Sequence, residues 1–146
     1  MRDAARKLPP LDRNWSLVAS RRLGTRADFD RLLATFPSIP RDYREIAETL
    51  AEYELKHAAG QYFRIWAPTA VLEMNEAHQV ARRIPGAIPI GDDGGDRVVL
   101  YRQGDEGFGL YRAGFGALDA DEVRYIASSL TDVLTRGAGV LVDDIW

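Results

Sequence analysis

Apolar residues recur along this chain with two periods, and the change from one to the other marks its elements. Phe29, Leu32, Leu33 and Phe36 return at three- and four-residue spacing behind a Thr25/Asp28 capping pair, which predicts a helix over 26–34 that Pro37 ends. Ser38 and Pro40 open a second helix, with Tyr43, Ile46, Ala47, Leu50 and Tyr53 on one face and a stop near Gly60. Tyr62, Phe63, Ile65 and Trp66 make a short strand, and Pro68-Thr69 starts a third helix that runs to about Arg83.

The densest signal lies between Ile88 and Tyr101. Pro89 lacks a ladder donor, which places Ile88 to Ile90 at a sheet edge or running into a turn rather than in mid-sheet. Gly91-Asp92-Asp93-Gly94-Gly95 is turn chemistry: Gly91, Gly94 and Gly95 supply backbone freedom, aspartates bond their own backbone, and the reversal is expected to be exposed. Val98 to Tyr101 shows no polar alternation and predicts a strand covered on both faces. Gln103 to Gly107 is a second turn leading to a strand over 108–113, so the pair reads as an antiparallel hairpin. Asp119 with Glu122 is a capping pair for a closing helix through Val123, Ile126, Ala127, Leu130, Val133 and Leu134 to Arg136, with Gly137 as its stop.

Residues 1–24 read as an irregular arm pinned through Trp15, with little regular structure before Leu17, and 25–146 as the domain proper. The tail, with Val140 to Val142, Ile145 and Trp146, is apolar enough to pack on the body or on a partner. Helices first, strands in the middle and a closing helix predict an α+β fold: a single domain with a central antiparallel sheet and helices packed on one side.

Composition adds limits. A chain of 146 residues, 46% hydrophobic and 28% charged, has the size and make-up of one globular domain with a real core. The absence of cysteine excludes disulfides, thiolate metal sites and cysteine nucleophiles. Met1 to Val18 lacks the apolar run of an export signal, and nowhere does an apolar run approach membrane-spanning length, so the expected address is the cytoplasm. The net charge of −3 is uneven: residues 1–24 carry six Arg/Lys against two Asp, while 119–146 carry six acids against two arginines.

Candidate chemistry is sparse. Asp92, Asp93 and Asp96 form the tightest acidic cluster on a turn, but an EF-hand loop starting at Asp92 needs a ligand at Gly94, a glycine at Arg97 and an acid at Gln103. No metal site is therefore expected. His57 and His78 make no His-Glu-x-x-His pair, the glycines at 107, 109, 114 and 116 stand without a Gly-Lys-Ser/Thr, and no serine sits in a Gly-x-Ser-x-Gly elbow. Tyr62, Trp66, Tyr101, Phe108 and Tyr111 alternate with core formers, so they read as packing rather than base stacking, and nucleic acid is not the expected partner. These patterns predict no catalytic residue and no cofactor.

Ile88-Pro-Ile-Gly-Asp-Asp-Gly-Gly-Asp96 running into an apolar strand resembles the SUKH superfamily, which takes in fungal cell-wall assembly regulators and many bacterial immunity proteins of polymorphic toxin systems. Phe36-Pro-Ser-Ile-Pro-Arg-Asp-Tyr-Arg-Glu-Ile46 looks like that family's Leu-Pro-x-x-Tyr helix start, and Phe63 to Trp66 like its first core strand; the likeness covers roughly residues 26–135. The chain departs from it at Asp93-Gly94-Gly95-Asp96, where many members have one more glycine, and at His57-Ala58-Ala59-Gly60, where the family has an Asn-Gly turn.

The resemblance implies a non-enzymatic, protein-binding module, foremost an immunity protein that covers a cognate toxin domain, of the kind that cuts or modifies nucleic acid. Its other branch implies a regulatory scaffold of the cell-wall type, and an enzyme using the Asp92, Asp93 and Asp96 turn is the remaining alternative. Asp92, Asp93, Asp96, Asp105 and Glu106, on turns at the two ends of one strand, are the residues expected to meet a basic partner.

Overall fold

The computed structural model describes residues 8–139. Seven strands form one antiparallel sheet whose spatial order follows the chain: β1 (Trp15–Arg22), β2 (Ala51–His57), β3 (Tyr62–Ile65), β4 (Ile88–Asp92), β5 (Arg97–Gly104), β6 (Gly107–Gly114) and β7 (Arg124–Ala127). Among the described residues five helices accompany it: α1 (Arg26–Thr35), α2 (Arg41–Ala47), α3 (Pro68–His78), α4 (Val80–Arg83) and α5 (Leu130–Arg136). The fold is α+β, a small single domain built on an antiparallel sheet, as the sequence predicts.

Three stretches differ from the sequence reading. The supposed arm supplies β1, paired along its length with β2 from Trp15↔His57 to Arg22↔Ala51 and bulged at Val18. Trp15 does pin it, donating its indole N–H to the Val133 carbonyl at 2.8 Å. Second, the helix expected to reach Gly60 stops at Ala47. Leu50 takes a left-handed conformation (φ 63), and the chain leaves as a strand whose Tyr53, Leu55 and His57 point to one face. Its carbonyl accepts from the Leu23 and Gly24 amides, tying the turn to the end of β1. Third, the Asp119 cap heads only a 3₁₀ turn, Ala120–Glu122; residues 124–127 join β6 as a strand, and the closing helix begins at Leu130 under a Ser129 cap. Gly137 (φ 67) stops it as expected.

Pro89 also corrects an expectation, because β4 lies inside the sheet. β3 pairs with it only at Arg64↔Asp92 and Ile65↔Gly91, and the β4–β5 ladder is bulged between Pro89 and Gly91. The missing donor therefore falls where β3 has already ended. The third helix is split in two at Gln79 (φ 55), with the Asn75 side chain accepting from the Ala81 amide across the break.

Helices α2 and α5 cover the face that carries Phe63, Ile65, Val99 and Tyr101. The Tyr101 hydroxyl, buried between them, donates to the Asp42 carboxylate (2.8 Å) and accepts from the Leu130 amide (2.6 Å). Asp42 also accepts from the amide and hydroxyl of Thr131, so one carboxylate serves the start of α5 from the first turn of α2. Burial, and then the Asp42 charge, push the Tyr101 hydroxyl far above the ordinary tyrosine range. Tyr101→Phe strands the buried Leu130 N–H, and we expect it to cost about 2 kcal/mol in urea unfolding; an unchanged midpoint would remove this junction from the account of the core.

Helix α1 is tied to α3 by Asp28, which completes the capping box with Thr25 and accepts from the Thr69 hydroxyl at 2.6 Å. These bonds, Thr69 first, hold the Asp28 carboxyl below its ordinary range. On the opposite face of the sheet, segment 115–123 crosses β5 and β6: Leu118 is buried, and the Ala120 carbonyl accepts from Arg102 at 3.2 Å.

Candidate functional site

Two turns at the ends of β5 carry the acids singled out in the sequence. The first, between β4 and β5, is shorter than predicted, because Gly91 and Asp92 belong to β4 and are buried. Asp92 is only 8% exposed, which corrects its assignment to an exposed surface. Its Oδ2 accepts the Trp66 indole N–H at 2.6 Å and its Oδ1 accepts the Gly94 amide at 2.7 Å. Asp93 is turned inward on the loop, accepting from the Gly95 and Arg97 amides and lying 3.8 Å from the Arg97 guanidinium. Asp96 alone of the three presents an exposed side chain.

Gly91 and Gly94 are required here for different reasons. A Cβ on Gly91 would stand 2.2 Å from the Arg64 carbonyl oxygen, whereas Gly94 has φ 85 and a Cβ on it would meet the Tyr62 ring at 2.6 Å. Gly95 is outside the left-handed region, and the nearest atom to a Cβ there is 3.5 Å away. Gly94→Val is therefore expected to destabilise by about 1–3 kcal/mol and Gly95→Val by less than about 0.5 kcal/mol. Paired thermal melts that fail to separate the two variants would contradict this geometry.

Beside the turn, Glu54, Arg64 and Asp92 stand in one row across β2, β3 and β4. The Tyr62 hydroxyl donates to Glu54 and accepts from Arg64 at 3.3 Å, while Arg64 lies 3.9 Å from Asp92. Burial, then the bond to Glu54, raise the Tyr62 hydroxyl above its ordinary range. Each acid in this row already has a partner, so its chemistry is that of a bracing network.

The second turn, between β5 and β6, is braced by one hydroxyl. Tyr111 accepts from the Glu106 amide (3.1 Å) and donates to the Gly107 carbonyl (2.8 Å). Asp105 and Glu106 are exposed, and no side-chain hydrogen bond or ion pair among the described residues engages their carboxylates. They share a recess of about 310 Å³ with Arg102, Tyr111, Asp121 and Tyr125. The Arg102 guanidinium lies against its wall, 5.9 Å over the Tyr111 ring.

Asp121 was missed in the sequence because 119–122 read as the cap of a long helix. Once that segment is a 3₁₀ turn crossing the sheet, Asp121 comes beside Asp105 and Glu106. Asp92 and Asp93 are not brought to this group, since Arg97 and Gly104, at the ends of β5, are roughly 23 Å apart at about 3.3 Å per residue.

Among the described residues, no group of three or more His, Asp or Glu is placed to hold a metal ion, and no helix is long and apolar enough to cross a membrane. The apolar tail from Val140 to Trp146 lies outside the described residues. Neither a protein-family model nor a curated protein matches this chain.

Proposed function

We propose that this chain is a protein-binding module of SUKH type, and that it acts as an immunity protein by covering a cognate toxin domain in the cytoplasm. The observation that carries the reading is the pair of short, braced turns at the ends of β5, each presenting exposed acid from a rigid sheet. Charged groups fixed in this way cost little ordering on association and steer a basic partner, raising the association rate and discriminating against wrong partners. Toxin domains that cut or modify nucleic acid present basic clefts, which fit such a surface. A separation of roughly 23 Å is too wide for one small ligand yet within a standard protein interface of about 800 Å² per partner.

Purification of the tagged chain from its native cells should return a toxin domain, and an equimolar amount of the chain should abolish that domain's activity. Recovery of cell-wall assembly proteins with no toxin would replace this reading with the scaffold one. Metal-dependent turnover by the chain alone, lost in Asp96→Asn with an unchanged melt, would replace it with an enzyme.

A further inference from the structure

The two turns are not equivalent. At the β4–β5 turn, Asp92 is buried on Trp66 and Asp93 is occupied by two amides and Arg97, which leaves Asp96 as the one exposed acid of the three. At the β5–β6 end, Asp105 and Glu106 are exposed and Asp121 joins them from another segment of the chain.

That end also carries an apolar ring. Phe108 is 48% exposed although it follows the turn directly, and its ring is stacked on Tyr101 with centroids 5.5 Å apart and planes 10° from parallel. Tyr101 is itself held by Asp42 and the Leu130 amide. The exposed ring is thereby fixed through a buried one to the helices on the same face of the sheet, so little rotamer freedom remains to be lost when a partner covers it. By the alternation of the strand, Phe108 and Tyr111 project to opposite faces of the hairpin, which puts the ring on one side of the acidic tip and the 310 Å³ recess on the other.

We infer that the end of the β5–β6 hairpin is the docking surface, with Phe108 as its apolar anchor on one face, Asp105 and Glu106 at the tip and Asp121 in the recess on the other face, for a partner protein that offers basic side chains beside an apolar recess. The inference rests on the protein-binding reading and narrows it. An aromatic side chain that a partner covers on association is a usual centre of a binding hot spot, and charges beside it act on the association rate and the choice of partner. The three acids against Arg102 select basic side chains, and the recess beside Tyr111 and Tyr125 is large enough to take one. A nucleic acid would meet like charge here, and a lone cation would leave Phe108 unused.

The test is to pan the purified full chain against a phage library of random dodecapeptides, then synthesise the consensus peptide and measure its affinity. Enriched peptides should place Arg or Lys beside an aliphatic or aromatic residue. Phe108→Ala should weaken the consensus peptide at least tenfold, and the Asp105→Asn/Glu106→Gln/Asp121→Asn triple variant should do the same while removing most of its salt dependence. Asp96→Asn should change the affinity less than twofold, with thermal melts confirming that all three variants are folded. Acidic or uncharged consensus sequences, no enrichment, or binding indifferent to Phe108→Ala would overturn the assignment. Peptides lost in Asp96→Asn but kept in Phe108→Ala would move the surface to the β4–β5 turn and leave the protein-binding reading intact. That reading is decided separately by the co-purified partner.

Discussion

Asp92→Lys is expected to destabilise the fold by about 3–5 kcal/mol, a large part of the roughly 5–15 kcal/mol that holds a domain of this size together. The carboxylate is buried and receives two N–H donors, from the Trp66 indole and the Gly94 amide, with the Arg64 guanidinium 3.9 Å away. An ammonium in its place strands both donors and sets like charge against Arg64 at a site that water barely reaches. Asp92→Asn keeps an acceptor for one donor and should lose only about 1–2 kcal/mol. Urea unfolding of the two variants gives the comparison, and an Asp92→Lys midpoint near that of wild type would mean the carboxylate is not buried in solution. The same geometry limits surface mutagenesis: a charge reversal that includes Asp92 confounds folding with binding, whereas one at Asp96, Asp105 and Glu106 does not.

Gly91→Val should be as damaging, at about 3 kcal/mol or more, for a steric reason. A Cβ at 2.2 Å from the Arg64 oxygen and 3.0 Å from the Phe63 ring can be accommodated only by moving β3 away from β4. The ladder there consists of two residue pairs, Arg64↔Asp92 and Ile65↔Gly91, so there is little pairing to absorb the shift. Gly116→Ala is the control, since no atom lies within 4 Å of its added Cβ and its φ is not left-handed; its effect should stay below about 0.5 kcal/mol. Thermal melts ranking Gly91→Val with Gly116→Ala would contradict the close approach of the two strands.

What the sequence determines by itself are the elements whose signals are local. The Thr25/Asp28 capping box starts α1, Pro68 starts α3, Gly137 stops α5, and the turn between two apolar runs makes the β5–β6 hairpin; each is set by bonds within a few residues. The acidic hairpin tip, Asp105 and Glu106, is legible for the same reason.

Segments that satisfy two periods at once are decided elsewhere. Ala47, Leu50 and Tyr53 fit a helix, while Tyr53, Leu55 and His57 fit a strand equally well; pairing with β1 on one side and β3 on the other selects the strand. Residues 124–127 follow the same rule: Ser129 outcompetes Asp119 as the helix cap because β6 offers the intervening residues a ladder. The burial of Asp92 depends on an indole 26 positions earlier, and the gathering of Asp121 and Phe108 around the hairpin tip depends on where segment 115–123 crosses and on what lies beneath Tyr101. Two aspartates adjacent in sequence thus part company, one in the core and one on the loop, because a side chain's environment is set by long-range contacts that neither periodicity nor turn chemistry encodes.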